Sequence, residues 1–192
     1  MGIRIERHQP QDTPGAVTPQ LRPLSLNGQA APPTAVVDVY HVHGELRVAT
    51  MSLHYQTARG PQFIDTTEDV ARAVAASCIS EGVVVIYSRH TTAAIKINEH
   101  EPELLADMER IVSAVSPQER AYHHNDFRVR VVNMEEDECP NGHAHCQHLL
   151  LNTSESVPLR GGRLQLGPRQ RIFLVELDRA RPREVIVHTM GC

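Results

Sequence analysis

Residues 83–88, Val-Val-Val-Ile-Tyr-Ser, are a continuous run dominated by β-branched side chains, which lose rotamer freedom in a helix and pack well on a pleated surface. The run reads as a buried strand that delivers Arg89 and His90 at its end. Residues 93–99, AAIKINE, alternate as a second strand. Before this pair, residues 66–81 carry helix signals: Thr66 or Thr67 as N-cap, Glu68 and Asp69 in the first turn, Val70, Val74 and Cys78 at helical spacing, and Gly82 as the stop. After it, Pro102 opens a further helix whose apolar stripe of Leu104, Leu105, Met108, Ile111, Val112 and Val115 ends before Pro117.

The flanking segments are rich in strand patterns. VVDVYHVH (36–43) and ELRVATMSLHY (45–55) alternate about a His43-Gly44 turn and predict a hairpin. FRVRVVN (127–133) reads as a short strand, HAHCQHLLLN (143–152) as a short helix, and SVPLRGGRLQL (156–166) as a hairpin turning at Gly161-Gly162. QRIFLVELD and REVIVHTM close the chain as two more strands. The expected fold class is α+β, a mostly antiparallel or mixed sheet in a sandwich or barrel-like core with two to three helices.

Residues 1–34 are rich in proline and polar side chains and bury too little to offset their ordering entropy, so they read as a flexible or partner-crossing tail ahead of one domain, 35–192. The net charge is −4 and Lys and Arg are scattered, which gives no footprint for nucleic acid. No apolar run approaches the roughly 20 residues that span a bilayer, and the N-terminus is too polar for a signal peptide. Cys78, Cys139, Cys146 and Cys192 are unevenly spaced, so reduced thiols and a cytoplasmic setting are expected. Cys78 reads as a small core residue of its helix.

Histidines gather in three separated segments, SRHTTAAIKINE, AYHHND and NGHAHCQH, which hold His90, His123, His124, His143, His145 and His148. Imidazoles from distant segments suit a divalent transition metal or acid–base chemistry near neutral pH. His145 and His148 are three apart on the expected helix, which makes His148 the substitute ligand. A structural zinc built from Cys139, His143, His145 and Cys146 is a weaker alternative, since no paired C-x₂-C knuckle is present.

HTTAAIKINEHEPELLADMER, His124 two residues after Tyr122, and AHCQHLLLNTSESVPLRGGRLQLGPRQRIFLVELD together resemble the YjbQ-type family, often called secondary thiamine-phosphate synthases, over roughly residues 45–192. The resemblance implies a compact α+β homotrimer. It also implies that His90, His124 and His145 converge on a metal site, zinc first among the candidates, or on a phosphate site. The implied activity is a transferase that joins an aminopyrimidine diphosphate to a thiazole phosphate, and the implied partner is a small anionic substrate. Asn98, Glu99, Gln170 and Glu176 match family positions and are the catalytic candidates; Ser154, Arg163 and Arg169 are the substrate-binding ones. Where the family signature ends in Gly-Thr-Trp-Gln, this chain reads Gly167-Pro168-Arg169-Gln170, so a guanidinium replaces an indole. Asn98 and Glu99 have a second role open to them, capping the helix that starts near Pro102. The rival functional class is a non-catalytic trimeric metal-binding protein.

Overall fold

The structure, a computed structural model, describes residues 44–136 and 138–192. The expected tail and the first strand of the expected hairpin lie outside the described residues. The elements are β1 (Arg47–Gln56), β2 (Gln62–Asp65), α1 (Thr67–Ser77), β3 (Gly82–Ser88), β4 (Ala93–Glu99), α2 (Pro102–Val115), α3 (Gly142–His148), β5 (Ser154–Arg160), β6 (Arg163–Leu164), β7 (Gln170–Glu176) and β8 (Pro182–Gly191), with a 3₁₀ turn at His123–Asn125. They form two antiparallel sheets, of order β1-β8-β3-β5-β6 and β2-β7-β4. The α+β class and the sandwich-like core are as the sequence predicts.

The main core lies between the sheets. Val84, Ile86, Val157, Val185 and Val187 from the larger sheet meet Ile95, Ile172 and Leu174 from the smaller one, with Val70 and Val74 of α1 packed in. The opposite face of the smaller sheet makes a second cluster, in which Ala94, Phe173, Val175 and Leu177 meet Ala144 of α3 and Leu105 and Val112 of α2. Strand β7 is therefore covered on both faces. Strand β3 is covered on one: Val84 and Ile86 are buried, whereas Tyr87 looks outward, so the run that reads as fully buried is half-buried.

Four local expectations change. Helix α1 ends at Ser77, and Cys78, at φ 54°, is an exposed left-handed C-cap rather than a core residue. The cause is nonlocal: the main-chain amides of Ser80 and Glu81 both donate to the Cys192 carbonyl at 2.8 and 3.0 Å, which draws residues 79–81 out of the helix. Gly82 begins β3 instead of stopping α1. Neither Asn98 nor Glu99 caps α2; the Glu101 carboxylate does, accepting from the amides of Glu103 and Leu104 at 3.0 and 2.8 Å. Residues 127–133 form no strand, because the amides of Val129 and Arg130 fold back onto the Asp126 carbonyl and Asn133 sits at φ 53°. Helix α3 stops at His148, short of the expected 152, and leaves Leu149 and Leu150 exposed. The Gly161-Gly162 turn is as expected, with φ of 56° and 70°. Among the described residues no helix is long and apolar enough to cross a membrane.

Asp65 ties the smaller sheet to α1 and β7. It accepts from the Thr67 amide and hydroxyl at 3.0 and 2.6 Å, from Arg171 Nε at 2.8 Å, and pairs with His100 at 2.8 Å. Burial alone would raise its carboxyl, but the bonds from Arg171, Thr67 and His100 outweigh that and hold it well below the usual carboxylate range. Because the folded value is depressed, the stability it contributes is fully present above the unfolded value of about 3.9 and is lost as pH falls below it. Arg171→Gln should flatten the acid limb of the stability profile between about pH 5 and 2, measured by urea midpoints. An unchanged limb would mean that Asp65 ionises alike in both states.

Candidate functional site

One cleft of about 680 Å³ collects side chains from five parts of the chain. The turn after β3 gives Arg89, His90 and Thr92. The 3₁₀ turn gives His124, α3 gives His145, and the segment into β8 gives Arg179, Arg181 and Arg183. Residues 130–141 add Arg130, Asn133, Glu135, Glu138, Cys139 and Asn141. All three sequence-predicted ligand histidines therefore line the same cavity.

Their hydrogen bonding distinguishes them. His90 Nε2 accepts from the Glu184 main-chain amide at 2.8 Å. A backbone N–H only donates, so the neutral His90 ring carries its proton on Nδ1 and has no second lone pair for a metal. His124 and His145 pack edge to face with ring centroids 4.6 Å apart, and His124 Nε2 is buried without a partner. Burial pushes both His90 and His145 below their ordinary value; Arg183 adds to this at His90, and His124 and Arg130 add to it at His145. Both rings are neutral at pH 7. As arranged, the three imidazoles do not fit a three-nitrogen metal centre, and among the described residues no group of three His, Cys, Asp or Glu side chains is disposed to hold a metal.

The arginines are held by carboxylates behind them. Arg89 pairs with Glu184 at 3.0 Å, Arg130 with Glu138 at 3.1 Å, Arg181 with Asp178 at 3.1 Å, and Arg183 with Glu176 at 2.5 Å. The pairs leave the wall close to charge balance, so its capacity for an anion rests on directed N–H groups rather than on net charge. Arg183 Nη2 also donates to Thr92 Oγ1 at 2.9 Å, which joins the turn after β3 to the start of β8. Cys139 is no thiolate nucleophile: burial and the Asp178 charge push its thiol up.

The remaining candidates lie elsewhere. Glu176 is fully buried, and both its oxygens are spent on Arg183, Thr57 and the amides of Leu177 and Asp178; it anchors Arg183 and has no lone pair facing the cleft for base chemistry. Glu99 pairs with Gln170 across β4 and β7, while Glu176 pairs with Ala93 at the other end of the same ladder. At about 3.3 Å per residue the two ends are roughly 20 Å apart. Asn98, Glu99, Arg169 and Gln170 thus sit far from the cleft: Asn98 Nδ2 meets Met108 Sδ at 3.1 Å, and Arg169, 81% exposed, reaches Glu99 at 3.5 Å. Ser154 opens β5 opposite Tyr87 and is exposed, and Arg163 lies on the edge strand β6. His148 is packed near Ala93 and lines no part of the cleft, and Cys146 is exposed, so the mixed thiolate–imidazole zinc is not assembled.

The sequence reading missed the arginines. Their signal was visible, since Arg179, Arg181 and Arg183 recur at every second position through Pro182.

Fold and site define a class: an α+β protein of two antiparallel sheets with a cleft lined by histidine and arginine. The chain belongs to the YjbQ family; the family model described as UPF0047 protein YjbQ-like matches residues 51–192. A UPF0047 protein of Methanothermobacter thermautotrophicus is 35% identical over 146 residues, covering 76% of this chain and 94% of that protein. The Bacillus subtilis protein YugU is 32% identical, covering 73% and 98%. Among solved structures, a YbjQ-like protein of unknown function from Sulfolobus solfataricus P2 superposes with a TM-score of 0.69 at 32% identity, covering 77% of this chain and 100% of that one. A hypothetical protein from Aeropyrum pernix K1 gives 0.67 at 33%, covering 75% and 99%.

Proposed function

We propose that the cleft is the active site of an enzyme acting on a small phosphorylated or otherwise anionic substrate. The observation that carries this is the meeting of His90, His124 and His145 with five arginines in one cavity. His145, half-buried, offers a hydrogen-bond acceptor; His90, protonated on Nδ1, offers a hydrogen-bond donor; the guanidiniums hold the oxyanions. Secondary thiamine-phosphate synthesis suits such a wall. Both reactants carry phosphate, a thiazole nitrogen displaces pyrophosphate from the pyrimidine methylene carbon, and the leaving group needs N–H donors.

The test is pyrophosphate release from the aminopyrimidine diphosphate and thiazole phosphate pair. His145→Gln should cut turnover by about tenfold, the worth of one hydrogen bond to substrate, with an unchanged melting temperature. Full turnover in that variant would remove His145 from the chemistry, and no turnover in the native protein would remove this reaction.

A second reading has a divalent ion, zinc by ligand type, at His124 and His145. The unpartnered Nε2 of His124 favours it. Elemental analysis of purified protein, with metal lost in His124→Ala, is its check. We further propose a cytoplasmic homotrimer: all four cysteines are free, and Val48, Tyr87 and Met190 are exposed together on one uncovered sheet face. Light scattering after gel filtration tests the assembly.

A further inference from the structure

Residues 127–134 present Phe127, Val129, Val131, Val132 and Met134 to solvent, an unusual concentration of exposed apolar side chains in a segment that among the described residues pairs with no sheet. Its polar bonds are local. Arg128 binds Asp126, Arg130 Nη2 donates to the Asn133 carbonyl at 2.8 Å and to Glu138 at 3.1 Å, and the Glu135 amide reaches Glu138. A segment tied mainly to itself moves at low cost.

One of its side chains nonetheless points inward. Arg130 and Glu138 are only 15% and 13% exposed, and Arg130 Nη1 is buried with no hydrogen-bond partner. A guanidinium N–H left unpaired away from water keeps its desolvation cost uncompensated. His124 Nε2, on the same cleft, is also buried and unpartnered. Unmet polar atoms contributed by two segments to one cavity mark a place where a ligand atom is missing. If His124 carries its proton on Nε2, both groups are donors, which selects an oxyanion. With Arg89, Arg181 and Arg183 also lining the cavity, the available N–H groups exceed what the two oxygens of a carboxylate accept.

We propose that Arg130 Nη1 and His124 Nε2 form the seat of one phosphoryl group, and that residues 126–136 are the flap that opens to admit it and closes with Arg130 over it. This rests on the anionic-substrate reading and assigns Arg130 as its specificity-determining residue. The exposed valines and Met134 lie on the outside of the flap, where opening exposes little additional apolar surface.

The probe is inorganic phosphate, titrated into the full chain by calorimetry and followed by ³¹P NMR. Arg130→Gln should weaken phosphate at least tenfold, and Arg130→Lys, which keeps the charge without the fork, should lose less. In the native protein phosphate should raise hydrogen-exchange protection across residues 127–136, a readout that does not depend on the variant folding. Native-like affinity in Arg130→Gln, or unchanged protection in the native chain when phosphate binds, overturns the seat while leaving the cleft an anion site. Absence of phosphate binding to the native protein overturns both readings together.

Discussion

Arg183→Met should destabilise the fold by about 3–5 kcal/mol, because it strands the Glu176 carboxylate in the interior. Glu176 is fully buried and Arg183 is 4% exposed. The guanidinium reaches both oxygens, Nε to Oε2 at 2.6 Å and Nη2 to Oε1 at 2.5 Å, and among the described residues supplies the only formal positive charge bonded to that carboxylate. Thr57 and the amides of Leu177 and Asp178 donate as well, but neutral donors do not replace a cation in a low-dielectric site. Guanidinium chloride unfolding measures the loss. The paired variant Arg183→Met with Glu176→Gln should recover much of it, since the uncompensated charge goes with its partner. A cost under about 1 kcal/mol for the single change would show that water reaches Glu176 and that the pair is not what fixes the cleft floor.

Phe173→Ala should cost about 3–5 kcal/mol. The ring is fully buried and meets Phe63 at 6.0 Å and His100 at 5.5 Å, both edge to face. Its removal leaves a cavity in the smaller of the two clusters, where Ala94 and Ala144 are too short to fill it. Helix α2 buries none of its residues completely, so it depends on this cluster for its hold on the sheet. Hydrogen exchange should therefore rise first in residues 102–115, ahead of β3 and β8. Uniform loss of protection, or a cost near that of a surface change, would place the core of the molecule elsewhere.

The legible parts of the fold were those whose pattern is local. Residues 93–99 alternate and form β4 with the expected bounds; Pro102 and the stripe after it form α2; Gly161-Gly162 form the turn between β5 and β6. The site was half legible. Histidines on three segments pointed to one cavity, and one from each, His90, His124 and His145, lines it. The arginines were overlooked because a guanidinium every second residue reads as an ordinary solvated strand face until the neighbouring segments are placed. The family-matched residues Asn98, Glu99 and Gln170 were grouped with the histidines, but a straight strand separates its two ends by its full length.

By itself the sequence determined the α+β class, most strand and helix positions, and the histidine set, because hydrophobic period, proline, glycine and cap residues act over a few neighbours. Tertiary structure alone decided where α1 stops, since the Cys192 carbonyl takes amides that the helix would otherwise use. It alone decided that 127–133 stays out of the sheets, since strand propensity needs a partner edge, and among the described residues this segment folds onto Asp126 instead. It also decided which arginines serve the cleft, because Glu176, Asp178, Glu138 and Glu184 aim them from parts of the chain that only folding brings together.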